Sequence, residues 1–202
     1  MRTERAFYNL IANLVLQIVT AAVGFILPAL FITYYGSEVN GMIGSIKQFV
    51  AYLSLVEAGV GTASIAALYN PLANQQYLIT DRILSATKIF YKRSGYIFLA
   101  FLIIISVVYP RLVQNEIEVK TSFLMVLIIG FGGLMEYFLI GKYRVLLTAD
   151  QRNYIVSLIQ ALATGLNAIV SVILIIIGTD ILIVQTVATL IGLYPICRTH
   201  SS

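Results

Sequence analysis

Residues 6–37 carry no charged side chain, 32 in a row between Arg5 and Glu38. That run restricts the fold more than any other feature of the chain. A helix needs about 20 predominantly apolar residues to cross a bilayer, whereas a helix on a soluble domain keeps a charged face toward water. A second uncharged run, residues 153–179, is 27 long and has the same consequence. Composition agrees: 59% of the 202 residues are hydrophobic and 11% are charged, against about 45 to 50% and about 25% in an ordinary globular chain. Lipid is the solvent this sequence suits.

Cutting the chain at its charges gives four further spans. Ser94 to Pro110 and Ile181 to Cys197 are uncharged, 17 residues each, at the lower limit of about 17 for a crossing helix. Stretches 41–69 and 121–147 are apolar or small-residue patterns with charges inside them. The sequence therefore predicts an all-α, polytopic membrane protein. Its six transmembrane helices, at about 9–34, 41–69, 94–113, 121–147, 153–179 and 181–197, form one bundle over residues 1–198, with 199–202 as a tail. The first run is too long for the 7 to 15 apolar residues of a signal peptide core, so it is read as a retained helix. Pro28 follows Gly24 within it and predicts a kink.

Orientation follows from lysine and arginine in short loops. With the N-terminus inside, the inner segments hold Arg2, Arg5, Arg82, Lys88, Lys92, Arg93, Lys142, Arg144, Arg152 and Arg198. Only Arg111 and Lys120 fall outside, and Lys47 lies within the second span. Both termini are thus expected in the cytoplasm, in a multi-pass protein of the cell membrane. This bias accounts for the net charge of +4 without nucleic acid, for which there is no recognition motif.

Inside the longest inner loop, Thr80 to Arg93 reads TDRILSATKIFYKR. At 100° per residue, Arg82, Lys88, Lys92 and Arg93 share one arc and Ile83, Leu84, Phe90 and Tyr91 the other, the pattern of a helix lying on the membrane surface. These four basic residues are candidates for contact with phosphate at the inner leaflet. The other reading is a topology anchor.

Glu57 stands in VAYLSLVEAGVGTASIAAL, Val50 to Leu68. If the second span enters hydrocarbon near Ser45, Glu57 is about 18 Å deep in a core about 30 Å thick. A carboxylate at that depth needs a partner, a proton or a wet cavity. Lys47 is on a different arc of the same helix, and Glu136 and Lys142 sit six apart on different faces of the fourth span. Glu57, Lys47, Glu136 and Lys142 are the candidate cavity or coupling residues, with a packing role for Glu57 as the alternative to proton coupling or sugar contact. Glycines 130, 132 and 133, like the small residues Ser54, Ala58 and Gly61, predict close helix approach.

No catalytic, cofactor or metal signature is present. Cys197 and His200 form an isolated C-x-x-H, two ligands short of a structural zinc site, and the paired carboxylates Glu116 and Glu118 lie in an outer loop. An enzyme is not expected.

The runs YYGSEVNGMIGSIKQFVAYLSLVEAGVGTASIAALYNPLA, Tyr34 to Ala73, and LLTADQRNYIVSLIQ, Leu146 to Gln160, resemble the N-terminal part of polysaccharide repeat-unit flippases. These belong to the multidrug/oligosaccharidyl-lipid/polysaccharide exporter superfamily. The resemblance implies two six-helix bundles facing a central cavity, and a lipid-diphosphate-linked oligosaccharide as substrate, moved outward for capsule, O-antigen or exopolysaccharide assembly. It implies lipid, that substrate and a second bundle or a second copy of the chain as partners. One bundle's worth of helices is present here, so the chain is expected to be a fragment or a truncated or frameshifted product that does not restore export alone. The alternatives are an ion-coupled small-molecule exporter of the same superfamily and an inactive structural remnant.

Overall fold

The computed structural model describes residues 2–55, 58–112, 117–151 and 153–198. Among them the chain is helical throughout, with no strand. The helices are α1 (Arg2–Tyr35), α2 (Ser37–Leu55), α3 (Ala58–Ala73), α4 (Tyr77–Leu112), α5 (Val119–Met135), α6 (Gly141–Ala149), α7 (Asn153–Ile177) and α8 (Ile181–Arg198), with a π-helical turn, Glu136–Ile140, joining α5 to α6.

Four helical stretches are long and apolar enough to cross a membrane: Ala6–Tyr35, Tyr77–Arg111, Val119–Ala149 and Asn153–Ile177. They contain or overlap the expected first, third, fourth and fifth spans. The expected second span is described as two helices, α2 and α3, and the sixth as α8, whose apolar part Ile181–Gly192 is shorter than the other four. The burial pattern shows why lipid is required. Ser106, Ser122, Ser157, Ser171 and Thr87 are buried, while Phe25 is 81% exposed and Ile18 69%. A chain that hides hydroxyls and displays phenylalanine is built for an apolar solvent, because buried hydroxyls find backbone partners within the bundle. Thr87, for example, donates to the Ile83 carbonyl and Ser106 to that of Ile103. This is a membrane protein.

The amphipathic stretch 80–93 is not a separate surface helix, as the sequence suggested. It is the first half of α4, unbroken over 36 residues, about 54 Å at 1.5 Å per residue. The basic half is thus continuous with the half long and apolar enough to cross the membrane. Arg82, Lys88, Lys92 and Arg93 are exposed along this half.

Glycines set the distance between α4 and the α5–π–α6 rod. A Cβ on Gly130 would sit 2.1 Å from Leu102, one on Gly133 3.1 Å from Phe98, and one on Gly141 2.1 Å from the Tyr91 ring, while a Cβ on Gly95 would be 3.1 Å from Phe138. Rising numbers on one side match falling numbers on the other, so the two rods run antiparallel. The expected close approach at Gly130 and Gly133 is present, and Gly132 faces Thr189 of α8. Of the face Ser54, Ala58 and Gly61, Gly61 in α3 approaches closely, a Cβ there lying 3.3 Å from the Tyr91 hydroxyl, whereas Gly41 and Gly44 of α2 have open space in front of them.

Hydrogen bonds fix α1 parallel to α7. Asn9 accepts from the Tyr154 N–H at 2.6 Å, Asn13 accepts from the Ser157 hydroxyl at 2.6 Å, and the Tyr35 hydroxyl donates to the Thr179 carbonyl at 2.5 Å. Gly178, at φ +79°, terminates α7 in the left-handed conformation that glycine adopts without strain, and Asp180 caps α8 through the Leu182 N–H. The tight turns on either side of α7 make it antiparallel to α6 and α8. The beginnings of α1, α4 and α7 therefore share one end of the bundle, and the basic residues of α4 gather there.

Candidate functional site

Polar residues recur along α7 at Asn153, Ser157, Gln160, Thr164, Asn167 and Ser171, spaced four, three, four, three and four apart. That spacing is a single stripe on a helix. Along α1 the matching stripe is Asn9, Asn13, Gln17 and Thr20. The two stripes are joined near the start of the helices by the Asn9 and Asn13 hydrogen bonds. Beyond them a cleft of about 550 Å³ opens, bordered by α1, α5, the π turn, α6, α7 and α8. The volume falls within the range of about 300–1,000 Å³ usual for small-molecule sites.

Gln17 and Thr20 line it from α1, and Gln160, Thr164 and Asn167 from α7. Thr189 of α8 faces them, with Glu136 and Arg144 from the rod opposite. Asn167 is held in place: its amide donates to the Ala188 carbonyl at 3.0 Å, and its oxygen accepts from Ser171 at 3.0 Å. Thr189 donates to the Gln185 carbonyl at 2.9 Å. Glu136 is 13 residues before the end of the apolar stretch Val119–Ala149, about 20 Å along the axis. The cleft is thus a hydrogen-bonding surface at membrane depth.

Glu136 and Arg144 form an ion pair. Residues eight apart on an α-helix lie about 80° apart around the axis, which would aim them differently. Here the Gly141 N–H donates to the Glu136 carbonyl, five residues back. The wider turn winds less per residue and returns both side chains to one face. π turns of this kind within α-helices are frequent at functional sites.

Of the residues the sequence singled out, Glu136 is in the cleft. Lys142 is not; its ammonium lies 4.4 Å from the centre of the Tyr143 ring. Lys47 is exposed on α2, away from the cleft, and the four basic residues of α4 are on that helix's exposed face. Glu57 lies outside the described residues, as do Glu116, Arg152 and His200. Arg144 and the amide and hydroxyl lining were missed, although the four-three repeat along α7 was available as a signal. Comparison of the chain with family models, with curated proteins and with solved structures finds no match, so the functional reading rests on this geometry and on the residues themselves.

Proposed function

We propose that the chain is the N-terminal six-helix bundle of a two-bundle exporter that moves lipid-diphosphate-linked oligosaccharide units outward across the cytoplasmic membrane. The observation that carries the reading is the polar cleft itself. Amides and hydroxyls on helices that otherwise show aliphatic side chains have no role in lipid, and intramembrane polar residues mark solute paths. Gln17, Gln160, Thr164 and Asn167 offer both donors and acceptors, the pairing that sugar hydroxyls require. The resemblance of Tyr34–Ala73 and Leu146–Gln160 to repeat-unit flippases supports the same substrate class. On this reading α2, α3 and α8 complete the six crossings.

A direct test embeds the chain in nanodiscs with a fluorescent polyprenyl-diphosphate trisaccharide. Retention above protein-free nanodiscs is expected, and Gln17→Leu with Gln160→Leu should weaken it about tenfold, the loss of two net hydrogen bonds. Retention equal to that of empty nanodiscs removes the reading.

Orientation is part of the proposal: the end bearing Arg82, Lys88, Lys92 and Arg93 faces the cytoplasm. In a Cys197→Ala background, an impermeant thiol reagent applied to intact cells should label Val119→Cys and spare Lys92→Cys. The reverse pattern would invert the topology.

A further inference from the structure

We propose that Glu136 is a resident counter-ion for Arg144, and that a phosphate-type oxyanion binds the cleft by taking its place on the guanidinium. The inference rests on the reading of the cleft as a solute site and names the group recognised there. Among the described residues the other polar members of the cleft wall are neutral amides and hydroxyls, so this pair supplies its formal charges. A guanidinium has five N–H donors in a planar fork. The contact with Glu136 is made from Nη1 to one carboxylate oxygen, and the buried Arg144 Nε has no hydrogen-bond partner among the described residues. An unmet donor inside a protein is costly. What it lacks is an acceptor, so the ligand that improves this site is an anion and not a cation.

A neutral hydroxyl does not displace a carboxylate from a guanidinium. A phosphate does, because it carries more charge than a carboxylate and presents several oxygens to the fork. The pair is loose enough to exchange, with side-chain exposures of 38% for Arg144 and 42% for Glu136. Partly solvated pairs are weak. The displaced carboxylate remains among the amides of the cleft, which donate hydrogen bonds. No bond is made or broken beyond these contacts.

The experiment uses the whole chain in nanodiscs of phosphatidylcholine alone, with inorganic pyrophosphate and farnesyl diphosphate as probes in titration calorimetry. Variants are compared only where elution profile and melting temperature match the parent. Glu136→Gln should bind pyrophosphate more tightly, by up to about fivefold, since that is what the competing pair is worth. Arg144→Gln should bind at least tenfold more weakly, and the double variant should match Arg144→Gln. If Arg144→Gln does not fold, Arg144→Lys decides, because it keeps the charge and loses the fork; its affinity must fall. Tighter binding of farnesyl diphosphate with the same order of variants assigns the anion to a lipid-linked source, and equal binding assigns it to a free one. Unchanged affinity in Glu136→Gln, binding retained in Arg144→Gln, or binding of neither probe to Glu136→Gln overturns the exchange. Pyrophosphate following the expected order while the sugar-linked lipid is not retained would leave the exchange standing and end the oligosaccharide reading.

Discussion

Gly141→Leu is expected to prevent the bundle from folding, and Gly141→Ala to lower its melting temperature in detergent. Among the glycines, Gly141 and Gly130 leave the least room for a Cβ. A Cβ at Gly141 would lie 2.1 Å from Tyr91 Cδ1 and 2.2 Å from Cε1. Ring carbons next to the Tyr91 backbone are not the far end of a flexible chain, so the ring must move as a whole. It has little room, being 7% exposed, with the Tyr137 ring 6.5 Å away and a Cβ on Gly61 only 3.3 Å from its hydroxyl. Overpacking of this kind costs about 1–3 kcal/mol for a methyl group, a large share of a total stability of about 5–15 kcal/mol. Leucine adds three further carbons to the same place. Gly165 is the control, since none of the described residues lies within 4 Å of its Cβ position; Gly165→Ala should be neutral or stabilise by about 0.5–1 kcal/mol through helix propensity. Tyr91→Ala in the Gly141→Ala background should recover part of the loss. Equal melting of Gly141→Ala and Gly165→Ala would show that the α4–α6 contact is not what the structure describes.

Two neighbours on α1 should behave in opposite ways. Ile18 is 69% exposed and lies 12 residues into the apolar stretch that begins at Ala6, about 18 Å along the axis. Gln17 lines the cleft. If Ile18 faces lipid, Ile18→Asp places a carboxylate in hydrocarbon at about 2.5–3.5 kcal/mol on insertion scales, and the folded, membrane-inserted fraction should fall roughly a hundredfold. Gln17→Glu puts the same charge one residue away, where amides and the Arg144 guanidinium share the cleft, and should insert and elute much as the parent does. The comparison is made by membrane fractionation and size-exclusion profile. Equal abundance of the two variants would mean that the exposed apolar face of α1 does not meet lipid.

The glycine contacts and the Ile18–Gln17 contrast mark how far the residues speak for themselves. An uncharged run of 32 or 27 residues leaves a chain no aqueous alternative, because helices of that length would have no charged face to turn toward water. The long apolar helices were therefore legible, as were the close approaches at Gly130 and Gly133, where only hydrogen fits between backbone and neighbour. The stripe along α7 was missed although its period is the helix's own and could have been read. α4 was not legible: hydropathy separates a charged half from an apolar half, while the backbone runs through both as one helix, with Gly95 at the junction held by packing against Phe138. The partner of Glu136 was beyond the reach of spacing for a deeper reason. Spacing predicts side-chain direction only while the helix keeps 3.6 residues per turn, and whether a turn widens depends on what is packed against it. Here Tyr91 lies on Gly141, Phe138 on Gly95, and Tyr137 beside Phe98, so the aromatic side chains between α4 and the rod bracket the π turn. The sequence by itself determined that the chain lives in lipid and which helices carry polar stripes. Only the tertiary structure decided that Glu136 faces Arg144, because helical phase across a π turn is set by packing from another helix and not by the residues within the turn.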